Sequence, residues 1–350
     1  MGSLDTRSRL PPVLDLSAFR GQDVALKKEF LDALGEACRD KGFFQLTNHG
    51  VDPDLQQKIF SAAKELFSLP LEEKLKAKLI PGKSGRGYEM IGGQMLEPGT
   101  APDTKEGIYL GEDLSLDHPN VVNGEYGCSP NIYPAVLGAQ WHDTCMEYFK
   151  AMKTLARDVM RALAAALAIP EDYFDHFTES SPAAILRLVH YPPTPRTSDK
   201  ERGCGAHRDF GCITLLLQDR VGGLQVQDEG TGEYLDITPI PGAYVVNLGN
   251  LMARWTNHHY TSNTHRVLNF SPTDRYSIPF FYSGNPNHVL ETIRGLEQRP
   301  QRAFTRVYGP VIPEAPYGPI SVKDFLQEQF IRSYKRAEEY KPSVILDPVA

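Results

Sequence analysis

Two histidines and one aspartate in the second half of the chain have the residue types and spacing of a metal site. His207 and Asp209 are separated by one residue, so on an extended strand their side chains would point to the same side. His265 comes much later, and a barrel or sandwich can bring its strand alongside. Two imidazoles and one carboxylate form the three-ligand face that suits a non-haem ferrous ion. We predict that these three residues bind Fe(II).

An arginine and a serine after His265 offer a site for a carboxylate. Arg275 and Ser277 share one face of a strand. A guanidinium fork beside a hydroxyl compensates the desolvation of a buried carboxylate through charge-assisted hydrogen bonds. A metal face next to this pair indicates oxidation by iron, dioxygen and a 2-oxo acid. The alternative for Arg275 is a surface ion pair of little energetic value.

For the other histidines we expect surface or hydrogen-bonded structural roles. His258 and His259 are alternative ligands because they lie close to His265 in the sequence, although we place them in the loop before its strand. The remaining ones are His49, His118, His142, His176, His190 and His288.

These motifs resemble the iron(II)/2-oxoglutarate-dependent dioxygenase superfamily, in its isopenicillin N synthase-like branch. The resemblance extends from about residue 10 to 300, and between residues 185 and 286 the chain is most similar to fungal thymine 7-hydroxylase-like enzymes. Besides the His207/Asp209 strand, the matching segments are residues 12–16, 42–51, 86–88, 103–106, 186–192, 222–226 and 275–278.

The resemblance implies an Fe(II) enzyme with 2-oxoglutarate and O2 as co-substrates. 2-Oxoglutarate takes two metal positions, and Arg275 and Ser277 hold its distal carboxylate. Tyr191 matches a tyrosine near the co-substrate carboxylate, whereas Val189 stands where many plant members carry asparagine. The expected reaction is oxidation of an unactivated C–H bond of a small molecule, by hydroxylation, desaturation or ring formation, in secondary metabolism.

Two alternatives to this function stay open at the level of the sequence. An isopenicillin N synthase-like oxidase would use O2 without 2-oxoglutarate, and Arg275 and Ser277 would then hold the carboxylate of the substrate itself. A non-catalytic binding protein that keeps the fold is the second alternative, and the intact set of ligands argues against it.

Two further side chains are candidates for substrate binding. Arg187 shares strand parity with Tyr191 and is expected to face the barrel interior, where it would bind either an anionic or carbonyl group of the substrate or an internal carboxylate. Phe281 shares parity with Arg275, which favours either a substrate wall or a core position. Asn250 follows Gly249 where relatives often have aspartate, and we expect an effect on loop structure.

Composition excludes several classes of protein. With 350 residues, 41% of them hydrophobic, the chain can form a large core. The net charge of −7 and the absence of a basic run argue against nucleic-acid binding. The five widely spaced cysteines form no C-x-x-C pair, which is typical of a reducing compartment.

No apolar stretch is long enough to span a bilayer. Residues 1–6 fit a loose myristoylation pattern, but we expect a cytoplasmic protein without stable membrane association.

Periodicity predicts a jelly-roll core, a double-stranded β-helix, with flanking helices. We divide the chain into an N-terminal region (1–134), a helical segment (135–182), the catalytic core (183–300) and a C-terminal helix and tail (301–350). Helices are predicted within residues 24–41, 55–67, 140–167 and 325–340, and a further one begins near residue 69. The predicted core strands are residues 185–191, 213–218, 224–228, 243–248, 265–270 and 278–283.

Two segments are candidates for covering the mouth of the barrel. One is the Gly-rich stretch of residues 84–93, and the other is the apolar tail formed by Val344, Ile345 and Leu346. A cover would exclude water from a reactive site. A frayed terminus is the alternative for the tail.

Overall fold

Helices surround the core in the computed structural model, which describes residues 9–79, 85–179, 183–193, 200–296 and 317–339. The predicted helices are confirmed with ends shifted by a few residues. The tail at residues 344–346 lies outside the described residues. The helices are α1 (Leu16–Arg20), α2 (Val24–Asp40), α3 (Pro53–Ser68), α4 (Leu71–Leu75), α5 (Pro119–Val122), α6 (Gly138–Ala166), α7 (Asp175–Glu179), α8 (Asn250–Trp255) and α9 (Val322–Glu339).

Twelve of the described strands form two sheets, and the last two, β13 and β14, pair with each other in a third. The prediction for residues 213–218 is confirmed with the same bounds, whereas the predicted 278–283 strand begins earlier, at Arg275. The strands are β1 (Val13–Asp15), β2 (Phe43–Thr47), β3 (Gly87–Glu89), β4 (Glu106–Leu110), β5 (Ala184–Tyr191), β6 (Cys204–His207), β7 (Ile213–Gln218), β8 (Leu224–Gln227), β9 (Tyr234–Asp236), β10 (Tyr244–Leu248), β11 (His265–Val267), β12 (Arg275–Tyr282), β13 (Val289–Leu290) and β14 (Ile320–Ser321).

The large sheet has the strand order β1-β2-β10-β7-β12-β5-β4-β3, and the small sheet has the order β6-β11-β8-β9. Apart from the parallel pair of β1 and β2, neighbouring strands in both sheets are antiparallel. A cavity lies between the sheets and is lined by residues from both. The predicted mainly-β jelly roll with flanking helices is therefore confirmed.

Helices α2, α3 and α6 pack against the large sheet through their apolar sides. Asp23 caps α2 by accepting from Ala25 N and Leu26 N, which satisfies backbone donors that the helix leaves unpaired. Along α6, buried residues recur every three or four positions, and Phe149 packs edge-on against Phe280 of β12 at 5.3 Å between ring centroids. This outer layer leaves the opposite face of the sheet free to line the cavity.

Strand register arranges the cavity-facing residues in rows across the large sheet. The main row consists of Ile185, Phe281, Thr214, Asn247 and Phe43. Closer to the N-terminus of β12, Ser277 pairs with Val189 and Gln218, and beyond that row Arg275 pairs with Tyr191. Because the strands concerned are antiparallel, a row keeps its side chains on one face of the sheet.

A buried ionic network ties α4 to the outer face of β5. Lys74 Nζ donates to Glu106 Oε2 at 2.8 Å, and the His190 ring lies 2.8 Å from Glu106 Oε1 and 2.7 Å from Asp274 Oδ1. The His190 ring also stacks on Tyr276 at 5.0 Å. Burial alone would lower the pKa of His190, but hydrogen bonds to Glu106 and Asp274 raise it above its ordinary value.

The raised pKa of His190 predicts a pH-dependent contribution to stability. Because the folded pKa lies above the unfolded value of about 6.5, protonated His190 stabilises the fold below that value, and the contribution is lost as pH rises through the folded pKa. We expect His190→Gln to lower the free energy of unfolding more at pH 6 than at pH 9, measured by urea unfolding of the metal-free protein.

His288→Gln is the matched control, because burial lowers the pKa of His288. The neutral form of His288 is the stabilising one, so the pH dependence of this variant should have the opposite sign. An equal loss of stability at both pH values for His190→Gln would show that His190 acts only through packing.

Candidate active site

His207, Asp209 and His265 meet at one end of the small sheet. Their candidate ligand atoms all lie within 4.8 Å of one another. His265 begins β11 and pairs directly with His207, the last residue of β6. The expectation that His207 and Asp209 share a strand is wrong, because β6 ends at His207 and Asp209 lies in the following turn. Asp209 Oδ1 nevertheless lies 3.4 Å from His207 Nε2 and 3.7 Å from His265 Nε2.

The main chain of Gly249 and Asn250 fixes the segment that carries Asp209. Asn250 N donates to Asp209 O at 2.8 Å. Gly249 has no side chain here for a steric reason, since a Cβ would lie 2.1 Å from Gly211 O and 3.0 Å from Asp209 O. This hydrogen bond runs through the main chain of Asn250, so the expected effect of its side chain on loop structure stays a prediction.

Hydrogen bonds orient all three side chains of this group. His207 Nδ1 lies 2.7 Å from Gly205 O, and His265 Nδ1 lies 3.3 Å from Asn263 O. An Nδ1 proton shared with a carbonyl leaves Nε2 as the free electron-pair donor. Burial lowers the pKa of His265 to about 4, whereas for His207, against the opposing effect of burial, Cys204 and Asp209 raise the pKa well above its ordinary value. A metal ion would therefore meet a neutral His265 but would have to displace a proton from His207.

Two residues that the sequence analysis missed hold the Asp209 carboxylate. Thr214 Oγ1 and Asn247 Nδ2 donate to Asp209 Oδ2, at 2.5 Å and 2.7 Å respectively. Oδ1 is left to face the two imidazoles. Both residues lie in the main row of the sheet, and a polar residue at an inward position of an otherwise apolar strand is the sequence feature that indicates them.

Arg275 lies fully buried at the far side of the same cavity. Its Nε donates to Gly222 O at 2.5 Å and its Nη2 to Gln218 Oε1 at 3.3 Å, whereas Nη1 has no partner among the described residues. The guanidinium lies 4.7 Å above the ring of Tyr191. No carboxylate in the described part of the chain lies within ion-pair distance of Arg275. A buried cation with an unused donor fits an anionic ligand.

The cavity that joins these groups has a volume of about 1010 Å³. Ser277, Tyr191 and Val189 line it next to Arg275. Its other walls are largely apolar, and the C-terminal helix α9 contributes Leu326, Gln327 and Ile331 at its edge. The apolar wall residues from the sheets and the adjoining loops are Phe43, Leu96, Ile185, Leu216, Pro279 and Phe281.

The two predicted substrate-binding residues both reach this cavity. Phe281 is half-buried and forms part of the wall. Arg187 lines the cavity and also forms an ion pair with Glu89, and its guanidinium lies 4.2 Å from the centre of the Tyr109 ring. Of the two partners that the sequence left open for Arg187, the internal carboxylate is present, and its role toward a substrate stays a prediction.

The other predicted ligands and covers lie elsewhere or only partly within the structure. His258 binds Tyr317 at 2.8 Å and, like His259, is not part of the group of candidate ligands. Of the predicted cover at residues 84–93, Gly85 and Arg86 line the cavity, while residue 84 lies outside the described residues. No helix in the part of the chain that the structure describes is long and apolar enough to cross a membrane.

Known proteins match both halves of the chain. A family model for the N-terminal region of non-haem dioxygenases in morphine synthesis matches residues 11–135, and the model of the 2OG-Fe(II) oxygenase superfamily matches residues 182–284. The 2-oxoglutarate-Fe(II) type oxidoreductase hxnY of Emericella nidulans is 45% identical over 335 residues, or 95% of this chain and 92% of the relative.

The chain belongs to the 2OG-Fe(II) oxygenase superfamily. Clavatol oxidase claD of Penicillium crustosum is 34% identical over 302 residues, covering 82% of this chain and 89% of that relative. The crystal structure of a full-length Neurospora crassa protein in complex with alpha-KG and thymine is similar with a TM-score of 0.78 at 31% identity, covering 92% of this chain and 96% of that one.

As a member of this superfamily, the protein is a 2-oxoglutarate-dependent dioxygenase that uses Fe(II), 2-oxoglutarate and O2 to oxidise a small molecule. The cavity agrees with this chemistry, because it holds a donor set suited to Fe(II) and an arginine suited to a carboxylate. Neither the oxidase that works without 2-oxoglutarate nor the non-catalytic binding protein is supported by these relatives.

The hydrogen bond from Asn247 predicts a measurable effect on metal affinity. Asn247→Leu removes one of the two donors to Asp209 Oδ2 and frees the carboxylate to rotate. We expect the Kd for Fe(II) to rise by about 10-fold to 100-fold, since changes at partners of metal ligands have this effect. Anaerobic competition with a chromophoric chelator measures it. Asn123→Leu, at an exposed asparagine, is the control, and an unchanged Kd for Asn247→Leu would contradict the role of Asn247.

Proposed function

We propose that His207, Asp209 and His265 hold the ferrous ion and that Arg275, Ser277 and Tyr191 hold 2-oxoglutarate. The observation that carries this assignment is the unused Nη1 of the fully buried Arg275, in the same cavity as the three candidate ligands. A dicarboxylate with one carboxylate at the metal and the other at Arg275 would complete the metal site and give the buried guanidinium an anionic partner.

When bound, the ferrous ion and 2-oxoglutarate together activate O2 for oxidation of a C–H bond. The protein supplies geometry and a dry environment. Arg275 would pair with the distal carboxylate, with Ser277 one row further along the same face. Tyr191 lies beneath the guanidinium and limits its movement. Val189, which lines the cavity beside Ser277, adds an apolar contact instead of a hydrogen bond.

Arg187 and Phe281 are the residues that we assign to the organic substrate. They lie on the same face of the large sheet as Arg275, so a molecule held between them lies within the cavity that contains the metal site. The Glu89 carboxylate fixes the guanidinium of Arg187, which also lies 4.2 Å from the centre of the Tyr109 ring. A flat substrate with a carbonyl or carboxylate fits this surface.

The relatives support a role in fungal secondary metabolism, as clavatol oxidase illustrates by its name. The cytoplasm as location is supported by the five cysteines, none of which is paired in a disulfide. The net charge of −7 supports the absence of nucleic-acid binding. The four-part division at residues 134, 182 and 300 stays a prediction.

The assignment of Arg275 is tested by shortening its side chain. Arg275→Ala leaves the distal carboxylate desolvated and unpaired, a penalty of roughly 3–5 kcal/mol. We expect the Kd for 2-oxoglutarate to rise by at least about 100-fold, measured by anaerobic calorimetry on the Fe(II)-loaded protein, with little change in Fe(II) affinity. Arg275→Lys keeps the positive charge but lacks the guanidinium fork, so its Kd for 2-oxoglutarate should lie between those of the wild type and Arg275→Ala. Normal 2-oxoglutarate binding by Arg275→Ala would reject the assignment.

Gln218 allows a sharper test, because its amide holds Arg275 without neutralising it. Gln218→Glu has nearly the same shape but gives the guanidinium an internal counter-ion. We expect the Kd for 2-oxoglutarate to rise by about tenfold or more, since the added carboxylate competes for the same cation. Gln57→Glu, at an exposed position of α3, controls for the added charge. Unchanged 2-oxoglutarate affinity in Gln218→Glu would show that 2-oxoglutarate binding does not require Arg275 to lack an internal counter-ion.

A further inference from the structure

A β-bulge lies in β6 directly before His207. In the register with β11, His207 lies opposite His265. Three residues before His207, Cys204 lies opposite Val267, which is only two residues after His265. One extra residue in a strand disrupts the ladder locally and changes the direction of the side chains beside it. Because β6 ends the strand order of the small sheet, the N–H groups at the bulge need partners from outside that sheet.

Two carboxylates from the loop between β3 and β4 supply these partners. Asp103 Oδ1 accepts from Gly205 N at 2.9 Å. Glu97 Oε2 accepts from Ala206 N, also at 2.9 Å. Gly205 permits this approach, since a Cβ there would lie 2.7 Å from Glu97 N. Both carboxylates are buried, so the bulge is held by two negative charges within the protein.

Each of the two carboxylates is also paired with a cation. Arg202 Nε donates to Glu97 Oε2 at 3.0 Å, and Arg202 Nη2 donates to Glu97 Oε1 at 3.4 Å. Lys105 forms an ion pair with Asp103. The two groups are therefore alike, since each consists of a carboxylate, a cation and one backbone N–H of β6. They differ in the peptide unit that the carboxylate contacts.

The contact of Glu97 leads on to His207 through a single peptide unit. Ala206 N and Gly205 O belong to this unit. Its N–H donates to Glu97, and its C=O lies 2.7 Å from His207 Nδ1. Cys204 Sγ is a more distant contact of Nδ1, at 4.0 Å. Asp103 contacts the preceding peptide unit, which does not contain this carbonyl.

We propose that Glu97 is a positioning residue that strengthens His207 as a metal ligand through this peptide unit. A negative charge at the N–H increases the negative partial charge of the C=O, because hydrogen bonds in a chain polarise one another. A stronger acceptor for the Nδ1 proton orients the ring and makes Nε2 a better electron-pair donor. This inference rests on the proposed function, which makes His207 a ligand of the ferrous ion.

The proton on His207 Nδ1 reports this effect directly. The full chain is loaded with Zn(II), a diamagnetic ion that imidazole and carboxylate ligands bind, and the Nδ1–H resonances are recorded by NMR. In Glu97→Gln the amide oxygen can still accept from Ala206 N, but the charge is gone. We therefore expect the His207 resonance to move upfield. The resonance of His265, whose Nδ1 lies 3.3 Å from Asn263 O, should stay in place.

Asp103→Asn is the matched control. It removes a buried carboxylate that is also paired with a cation and also bonded to β6, but on the preceding peptide unit. The His207 resonance should therefore keep its wild-type position. Equal upfield shifts in the two variants would show a general effect of charge and would overturn the proposal. An unchanged resonance in Glu97→Gln would do the same, and so would loss of the folded state in that variant, which would show that the carboxylate only holds the loop.

Arg202→Met tests the proposal with the opposite sign. Methionine keeps an apolar stem but removes the cation, so more of the negative charge of Glu97 acts on the N–H of Ala206. The His207 resonance should then move downfield. An upfield shift in Arg202→Met would contradict the proposal.

Metal affinity provides a second measurement. In Glu97→Gln we expect the Kd for Fe(II) to rise by about threefold to tenfold, less than for loss of a direct partner of a metal ligand, and an unchanged Kd would count against the proposal. Failure of the proposed function is visible separately. If Zn(II) leaves the ring resonances of His207 unchanged in the wild type, His207 is not a ligand. A wild-type response to Zn(II) without an effect of Glu97→Gln rejects only the role of Glu97.

Discussion

A single buried positive charge without an internal counter-ion organises the active site. Arg275 has no exposed surface, and among the described residues its hydrogen bonds go only to a main-chain carbonyl and a neutral amide. Both acceptors orient the guanidinium without neutralising it. A carboxylate side chain in their place would stabilise the ligand-free protein and weaken binding of the co-substrate. The ligand-free protein is less stable for lack of this counter-ion, and a bound ligand has to supply the anion.

The register of the large sheet sets the position of Arg275 relative to the candidate metal ligands. From Arg275 to Ser277 and on to Phe281 the inward side chains of β12 follow one face, and the row through Phe281 continues to Thr214 and Asn247. These two residues hold Asp209. The distance between the carboxylate site and the metal site is therefore set by the number of residues along a strand. A slip of β12 by one residue would turn Arg275, Ser277 and Phe281 to the outer face.

Much of this could be predicted from the sequence, because it depends on short-range spacing. Short strand-like runs between turn residues predicted β5, β7, β8, β10, β11 and β12 but not β3, β4 or β9, and the residue types at positions 207, 209, 265, 275 and 277 indicated the chemistry. Cross-strand partners are different. Glu89 meets Arg187 and Asn247 meets Asp209 across long stretches of chain, and no local pattern encodes which strands become neighbours. The prediction that Asp209 shares a strand with His207 was wrong, since strand ends depend on the segment packed against them.

The charges along the cavity wall differ in whether the protein itself compensates them. Arg187 pairs with Glu89 and Lys105 with Asp103, and both cations line the cavity. A paired guanidinium retains its hydrogen-bonding edge but attracts an anion far less than a bare one does. On the proposed assignment, 2-oxoglutarate, a dianion, is drawn to Arg275 rather than to Arg187 or Lys105. The substrate end of the cavity can recognise a neutral molecule through shape and hydrogen bonds because its charges are already compensated within the protein.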